Sequence, residues 1–143
     1  MKREILFRGK RIDNGEWVQG SLLAYVDGDT FICCEDYIPD VLNKYEVDPA
    51  TVGQDTGLAD KNGVRIFEGD IIHGKVIGDI WAGEIVWIDR IAGFGVRYAH
   101  RTDPTAWENS SILKQLLRYR EDEFSAEVIG NIHDNLELLE AGK

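Results

Sequence analysis

Apolar and polar residues alternate through most of this chain, the period-two pattern of half-buried strands. Residues 4–9 set Ile5 and Phe7 on one face, with Arg8 and then Lys10 on the other. A turn at Asp13-Asn14-Gly15 ends this first strand. Residues 16–26 form a second, whose even positions Val18, Leu22, Ala24 and Val26 make an apolar face around Gly20. Its odd face, Trp17, Gln19, Ser21, Leu23 and Tyr25, is mixed and half covered. Asp27-Gly28-Asp29 is a hairpin signal, and residues 30–34 return as a third strand. Residues 36–44 carry Tyr37, Ile38, Val41 and Leu42 at helical spacing, but Pro39 within them limits any helix to a short turn. Residues 45–57, with Pro49, two glycines and the polar Thr51, Gln54, Asp55 and Thr56, predict an extended connection whose side chains satisfy the backbone.

The second half is organised around residues 52–72, VGQDTGLADKNGVRIFEGDII. Asp60-Lys61-Asn62-Gly63 is a tight turn in which glycine supplies positive φ at little steric cost. Gly69, between Glu68 and Asp70, interrupts an apolar run and predicts a bulge or sharp bend. Residues 81–89 are apolar on both faces, which predicts a central strand covered twice. Phe94, Val96 and Tyr98 alternate along a half-exposed strand. Residues 127–132 supply a closing strand with Val128 and Gly130 on one face and Ile129 opposite. Ile112, Leu113, Leu116 and Leu117, entered through Ser110, predict one short helix within residues 103–123, a loop with a strand being the alternative. Leu136, Leu138 and Leu139 predict a final helical turn. The fold class is therefore mainly β, in two lobes: an N-terminal β-meander with its connector over residues 1–57, and residues 58–143. The order of elements in the second lobe resembles an SH3-like small barrel, a likeness of pattern that carries no function.

Four blocks resemble one known family: FRGKR at residues 7–11, EWVQGSL at 16–22, DPATVGQDTGLADKNGVRIFEGDII at 48–72 and EVIGNIHDN at 127–135. In this order they are similar to the YopX proteins of phages and prophages in Gram-positive bacteria, and the likeness covers nearly the whole chain. The resemblance implies a phage or prophage setting and assigns no catalytic or binding residue. The chain departs from the family at Leu136, where proline is usual.

Composition narrows the function classes. A hydrophobic share of 43% with 29% charged residues is that of a globular chain. Sixteen Lys and Arg against 26 Asp and Glu give a formal charge of −10. Nonspecific nucleic-acid affinity comes from neutralised phosphates, so nucleic acid is an unlikely general partner. The exception is a local basic patch at Lys2, Arg3, Arg8, Lys10 and Arg11, which reads either as a solvated strand face or as a phosphate-binding strip. Cys33 and Cys34 are adjacent, point to opposite faces of a strand and are expected as free thiols, as in a reducing cytoplasm. No apolar run reaches the roughly 20 residues of a membrane helix, and none near the N-terminus suits a signal peptide. The expectation is a cytoplasmic protein of the host cell.

Candidate chemistry is sparse, and no catalytic residue, metal or cofactor is assigned. His73, His100 and His133 lack metal-ligand spacing, and His133-Asp134 reads as a turn. Glu68, Asp70 and Glu84 flank or interrupt apolar strands, where paired carboxylates support acid–base or divalent-metal chemistry. Side chains bonding the bend's own amides explain Glu68 and Asp70 equally well. Trp17 and Trp107, because Trp and Tyr dominate interface hot spots, and Arg8 and Lys10 of the basic patch are the candidate binding residues, with Trp107 reading equally as a cap on the barrel edge. The expected role is a non-enzymatic binding or accessory factor, with an unknown host or phage protein as partner and self-association through open sheet edges. The alternatives are a nucleic-acid-binding module, an acidic DNA mimic that occupies a host protein, and a carboxylate-dependent hydrolase.

Overall fold

Strands account for most of the described residues, which are 4–34, 43–76, 79–98 and 124–140 of a computed structural model. The chain divides into two units, Met1–Gly57 and Leu58–Lys143. Most of residues 36–44, where a short turn is expected, and the helix expected within 103–123, with Trp107 and His100, lie outside the described residues.

In the first unit, β1 (Phe7–Lys10), β2 (Trp17–Ala24), β3 (Thr30–Cys33), β4 (Lys44–Glu46) and β5 (Gly53–Ala59), whose end at Leu58 and Ala59 belongs to the second unit, lie in the order β4-β3-β2-β1-β5. Ladder pairs Lys10 with Trp17, Leu23 with Phe31 and Phe31 with Glu46, so the odd face of β2 is continuous with Arg8 and Lys10. The opposite face buries Ile32 completely, and the adjoining Val47 is fully buried as well. Gly20, on that face, is glycine because a Cβ there would collide with the carbonyl oxygen of Cys33. Val26, expected on this apolar face, is instead fully exposed. Tyr25 N–H donates to Asp29 O at 2.9 Å, which closes the hairpin before Val26 and leaves it in the turn. Cys33 and Cys34 are free thiols.

Residues 45–57 are not a loose connection. They hold most of β4, a single 3₁₀ turn at Pro49–Thr51 and most of β5, which pairs with β1 through Phe7–Gln54 and Arg8–Gly53. The polar side chains do satisfy the backbone, but within an ordered strand-turn-strand. Thr51 Oγ1 accepts from Lys10 N–H at 2.9 Å and donates to Asp48 O at 2.6 Å, while Asp48 Oδ1 accepts from Ala50 N–H at 3.0 Å. A strand as polar as GQDTGLA offers no apolar alternation, so its pairing rests on backbone bonds that composition does not announce.

The second unit holds β6 (Arg65–Phe67), β7 (Asp70–Val76), β8 (Asp79–Ile88), β9 (Gly93–Tyr98), β10 (Phe124–Asn131) and α1 (Glu137–Glu140). Four of the strands form an antiparallel sheet in the order β10-β7-β8-β9, and α1 packs against β8. Ile66, Ile72, Ile85, Val96 and Ala126 form the core, flanked by Leu58, Phe94 and Val128. Gly69 has φ 90° and makes the expected corner between β6 and β7. Its N–H donates to Ile85 O at 2.8 Å and its carbonyl accepts from Ile132 N–H at 2.9 Å.

Two expectations in this unit need correction. β8 is central, but its cover is uneven: Ile85 is fully buried, Trp87, two positions on along the same face, is 46% exposed near the strand's end, and Val86 and Ile88 on the other face are half-buried. The Trp87 indole stacks edge-on against Phe94 and donates to Asp89 Oδ1 at 3.0 Å. In β10 the register shifts between Val128, opposite Ile72, and Gly130, opposite Ile71. Ile129 is the extra residue of a bulge, so Val128 and Gly130 pair with residues that point to opposite faces.

Candidate functional site

The first unit gathers three of the proposed binding residues. Arg8 and Lys10 lie two apart on β1, and Lys10 stands directly across from Trp17 on β2. The Arg8 guanidinium carbon lies 4.8 Å from the Trp17 ring centre and the Lys10 ammonium 5.7 Å from it. Both cations are within the distance at which a ring quadrupole attracts positive charge. The same face continues to a second cluster of this kind. Lys44 Nζ lies 4.6 Å from the Phe31 ring and 5.9 Å from the Tyr25 ring, and those two rings meet edge to face. Arg11 belongs to a separate arrangement. It stacks 4.4 Å over Tyr45 and is held by Asp13 through two bonds, at 2.9 and 2.6 Å. The bidentate bond to Asp13 raises the Arg11 pKa and lowers that of Asp13.

The three candidate carboxylates sit around the Gly69 corner and β8. Asp70 is 2% exposed, and its Oδ2 accepts from Phe67 N–H at 2.8 Å, which closes the bend of β6 into β7. Glu84 lies on β8 with Ile71 and Arg97 as its ladder neighbours. Burial pushes its carboxyl above the usual range, Arg97 pulls it down, and the nearby charge of Glu68 raises it again. Glu84 therefore senses the charge of Glu68, while one oxygen of Asp70 is taken by the Phe67 amide.

A further cluster escaped the sequence. His73 Nε2 lies 2.6 Å from Glu127 Oε1, directly across the β7–β10 ladder. Glu127 Oε2 takes Lys61 Nζ at 3.5 Å and Asn62 Nδ2 at 3.3 Å, both from the turn before β6. The His73 bond, then Lys61, then Asn62 hold the Glu127 carboxyl below its usual range. This arrangement orients an imidazole and fastens a turn to two strands. No spacing announces it, because His73 and Glu127 are 54 positions apart and meet only through strand register. His133 and Asp134 behave as a turn: both amides donate to Asn131 Oδ1 at 3.0 Å. Among the described residues, no group of three or more His, Cys, Asp and Glu side chains is placed to hold a metal ion, and no helix is long and apolar enough to cross a membrane.

A family model described as YopX protein matches residues 6–140. The crystal structure of protein EF1440 from Enterococcus faecalis is similar to this chain at 26% identity, with a TM-score of 0.52, over 95% of this chain and 98% of that one. No curated protein matches.

Proposed function

The chain belongs to the YopX family, and from that premise we propose that it is a non-enzymatic binding or accessory factor, encoded by a phage or prophage and acting in the host cytoplasm. It engages a host or phage protein through the cation–aromatic face of its first unit. The observation that carries this reading is the stacking of Arg8 and Lys10 on Trp17. A cation held over a ring loses little further freedom when it meets an anionic group, and a desolvated Trp–Arg pair is a frequent interface anchor. A carboxylate hydrolase has less support, since Asp70 spends an oxygen on the Phe67 amide that closes the corner.

The test is affinity capture from infected or prophage-induced cells, with the unaltered chain beside an Arg8→Glu, Lys10→Glu double variant of unchanged denaturation midpoint. A stoichiometric partner recovered by the first and lost by the second is the expected result. A partner retained equally by both overturns the assignment to this face.

A further inference from the structure

On the basis of that reading, we infer that the first unit's exposed sheet face docks an extended acidic segment of a partner protein, gripped at two places by the Trp17 and Lys44 clusters. The face runs along the odd positions of β2. At about 3.3 Å per residue, Trp17 and the Tyr25 that follows the strand are separated by roughly 26 Å, a distance spanned by about eight residues of extended chain. At one end Arg8 and Lys10 cover Trp17; at the other Lys44 covers Phe31 and Tyr25. Between them lie exposed Gln19 and Ser21 and half-buried Leu23. Aromatic and aliphatic surface, polar groups and cations thus alternate along one line.

Charge complementarity identifies the occupant. The chain carries −10, yet this face presents Arg8, Lys10 and Lys44. Among the described residues, the acids that the strand ladder places on this face are Glu46, on β4 across from Phe31, and Asp55, which is 4% exposed on β5. A local positive face on a negative molecule selects short anionic segments and disfavours long polyanions, whose remaining charges meet the rest of the surface. Two further features favour a peptide over a nucleic-acid strand. Single-strand binders leave ring faces open for bases to stack, whereas here the rings already carry cations. Three cations also release too few counterions to hold a strand firmly: the expected slope of log affinity against log salt is only about −2.

The experiment uses the full chain and three fluorescent probes of matched length, about ten units each: a Glu/Ser-rich peptide, its Gln/Ser counterpart and a single-stranded oligonucleotide. Anisotropy is read at low and physiological salt. Preference for the Glu/Ser peptide is expected. Lys44→Glu and Arg8→Glu each weaken it by about tenfold, as for close charge pairs across an interface, and Lys61→Glu in the second unit leaves it unchanged. Lys44→Gln, a milder change on an exposed side chain, is expected to weaken it less and guards against misfolding. Tighter binding of the oligonucleotide overturns the inference in favour of a nucleic-acid surface. Equal binding of the Glu and Gln peptides, or indifference to Lys44→Glu, overturns it outright. If capture still yields a partner lost on reversal of Arg8 and Lys10, the binding-factor reading survives that failure; if capture is also indifferent, both fail.

Discussion

The hairpin turn after β2 and the turn before β6 are built from the same local parts. In the first, Asp27 Oδ1 accepts from Asp29 N–H at 3.0 Å and Gly28 has φ 98°. In the second, Asp60 Oδ1 accepts from Asn62 and Val64 N–H at 2.8 and 2.9 Å, and Gly63 has φ 80°. They differ in what the second carboxylate oxygen does. Asp60 Oδ2 accepts from Val128 N–H at 3.0 Å, 68 positions away, and Lys61 N–H donates to Ala126 O at 3.3 Å. Asp60 is 7% exposed, whereas Asp27 lies in water. The same residue types therefore make a local turn in one unit and a strap onto the last strand in the other.

The largest effect expected from this difference is at Asp60. Alanine there strands three amides, two in the turn and one on β10, where a buried unsatisfied donor costs about 1–3 kcal/mol. Asp60→Ala should lower stability by about 2–4 kcal/mol, read as the urea midpoint of the second unit. A loss under about 1 kcal/mol would mean that the bond to Val128 contributes nothing.

Next come the glycines, which separate backbone strain from reach. Gly69 and Gly28 are both left-handed, at φ 90° and 98°, so valine at either meets the steric cost of about 1–2 kcal/mol. Gly28 bonds locally, its N–H donating to Tyr25 O and its carbonyl accepting from Thr30 Oγ1, whereas both backbone groups of Gly69 bond distant segments. Gly69→Val should therefore cost about 2 kcal/mol or more and Gly28→Val about 1. Equal midpoint shifts would show that strain alone decides. Asp27→Ala, which exposes one amide to water, should cost about 0.5 kcal/mol or less.

This comparison also marks what was legible in the sequence. Turn chemistry is local, so Asp27-Gly28 and Asp60 through Gly63 announce themselves, and alternation announces β1 to β3. The reach of Asp60 depends on where β10 pairs, which is decided by register and a bulge at Ile129 after a long excursion. β5 was missed for a related reason: its partner Phe7 lies 47 positions away and its own residues are polar. At the candidate site, Arg8 and Lys10 share a strand face by parity alone. That Trp17 lies beneath them follows from the Lys10–Trp17 pair, which needs the hairpin's register. His73 with Glu127 needed the same information across 54 positions, with nothing local to suggest it.

The smallest expected effect concerns whether Asp60 straps the turn alone. Glu127 lies beside Val128 on β10 and binds Lys61 and Asn62 as well as His73, so it adds a charged tie at the same place. Its carboxyl is held below the usual value of 4.5, first by the His73 bond and then by Lys61. A carboxyl depressed in the folded state binds fewer protons there than in the unfolded chain, so its contribution is fully present above about 4.5 and fades as pH falls through the lower folded value. Because the cluster is half-exposed, salt also screens it. Glu127→Gln should therefore give a small loss in urea midpoint at neutral pH, and the two midpoints should converge as the solution is acidified below that range. Asp60→Ala in the Glu127→Gln background should lose more than the two single changes together if the ties share one strap, and their simple sum if they act apart. A gap between unaltered and Glu127→Gln chains that stays constant into acid would assign the effect of Glu127 to packing, leaving Asp60 as the residue that joins the turn to the closing strand.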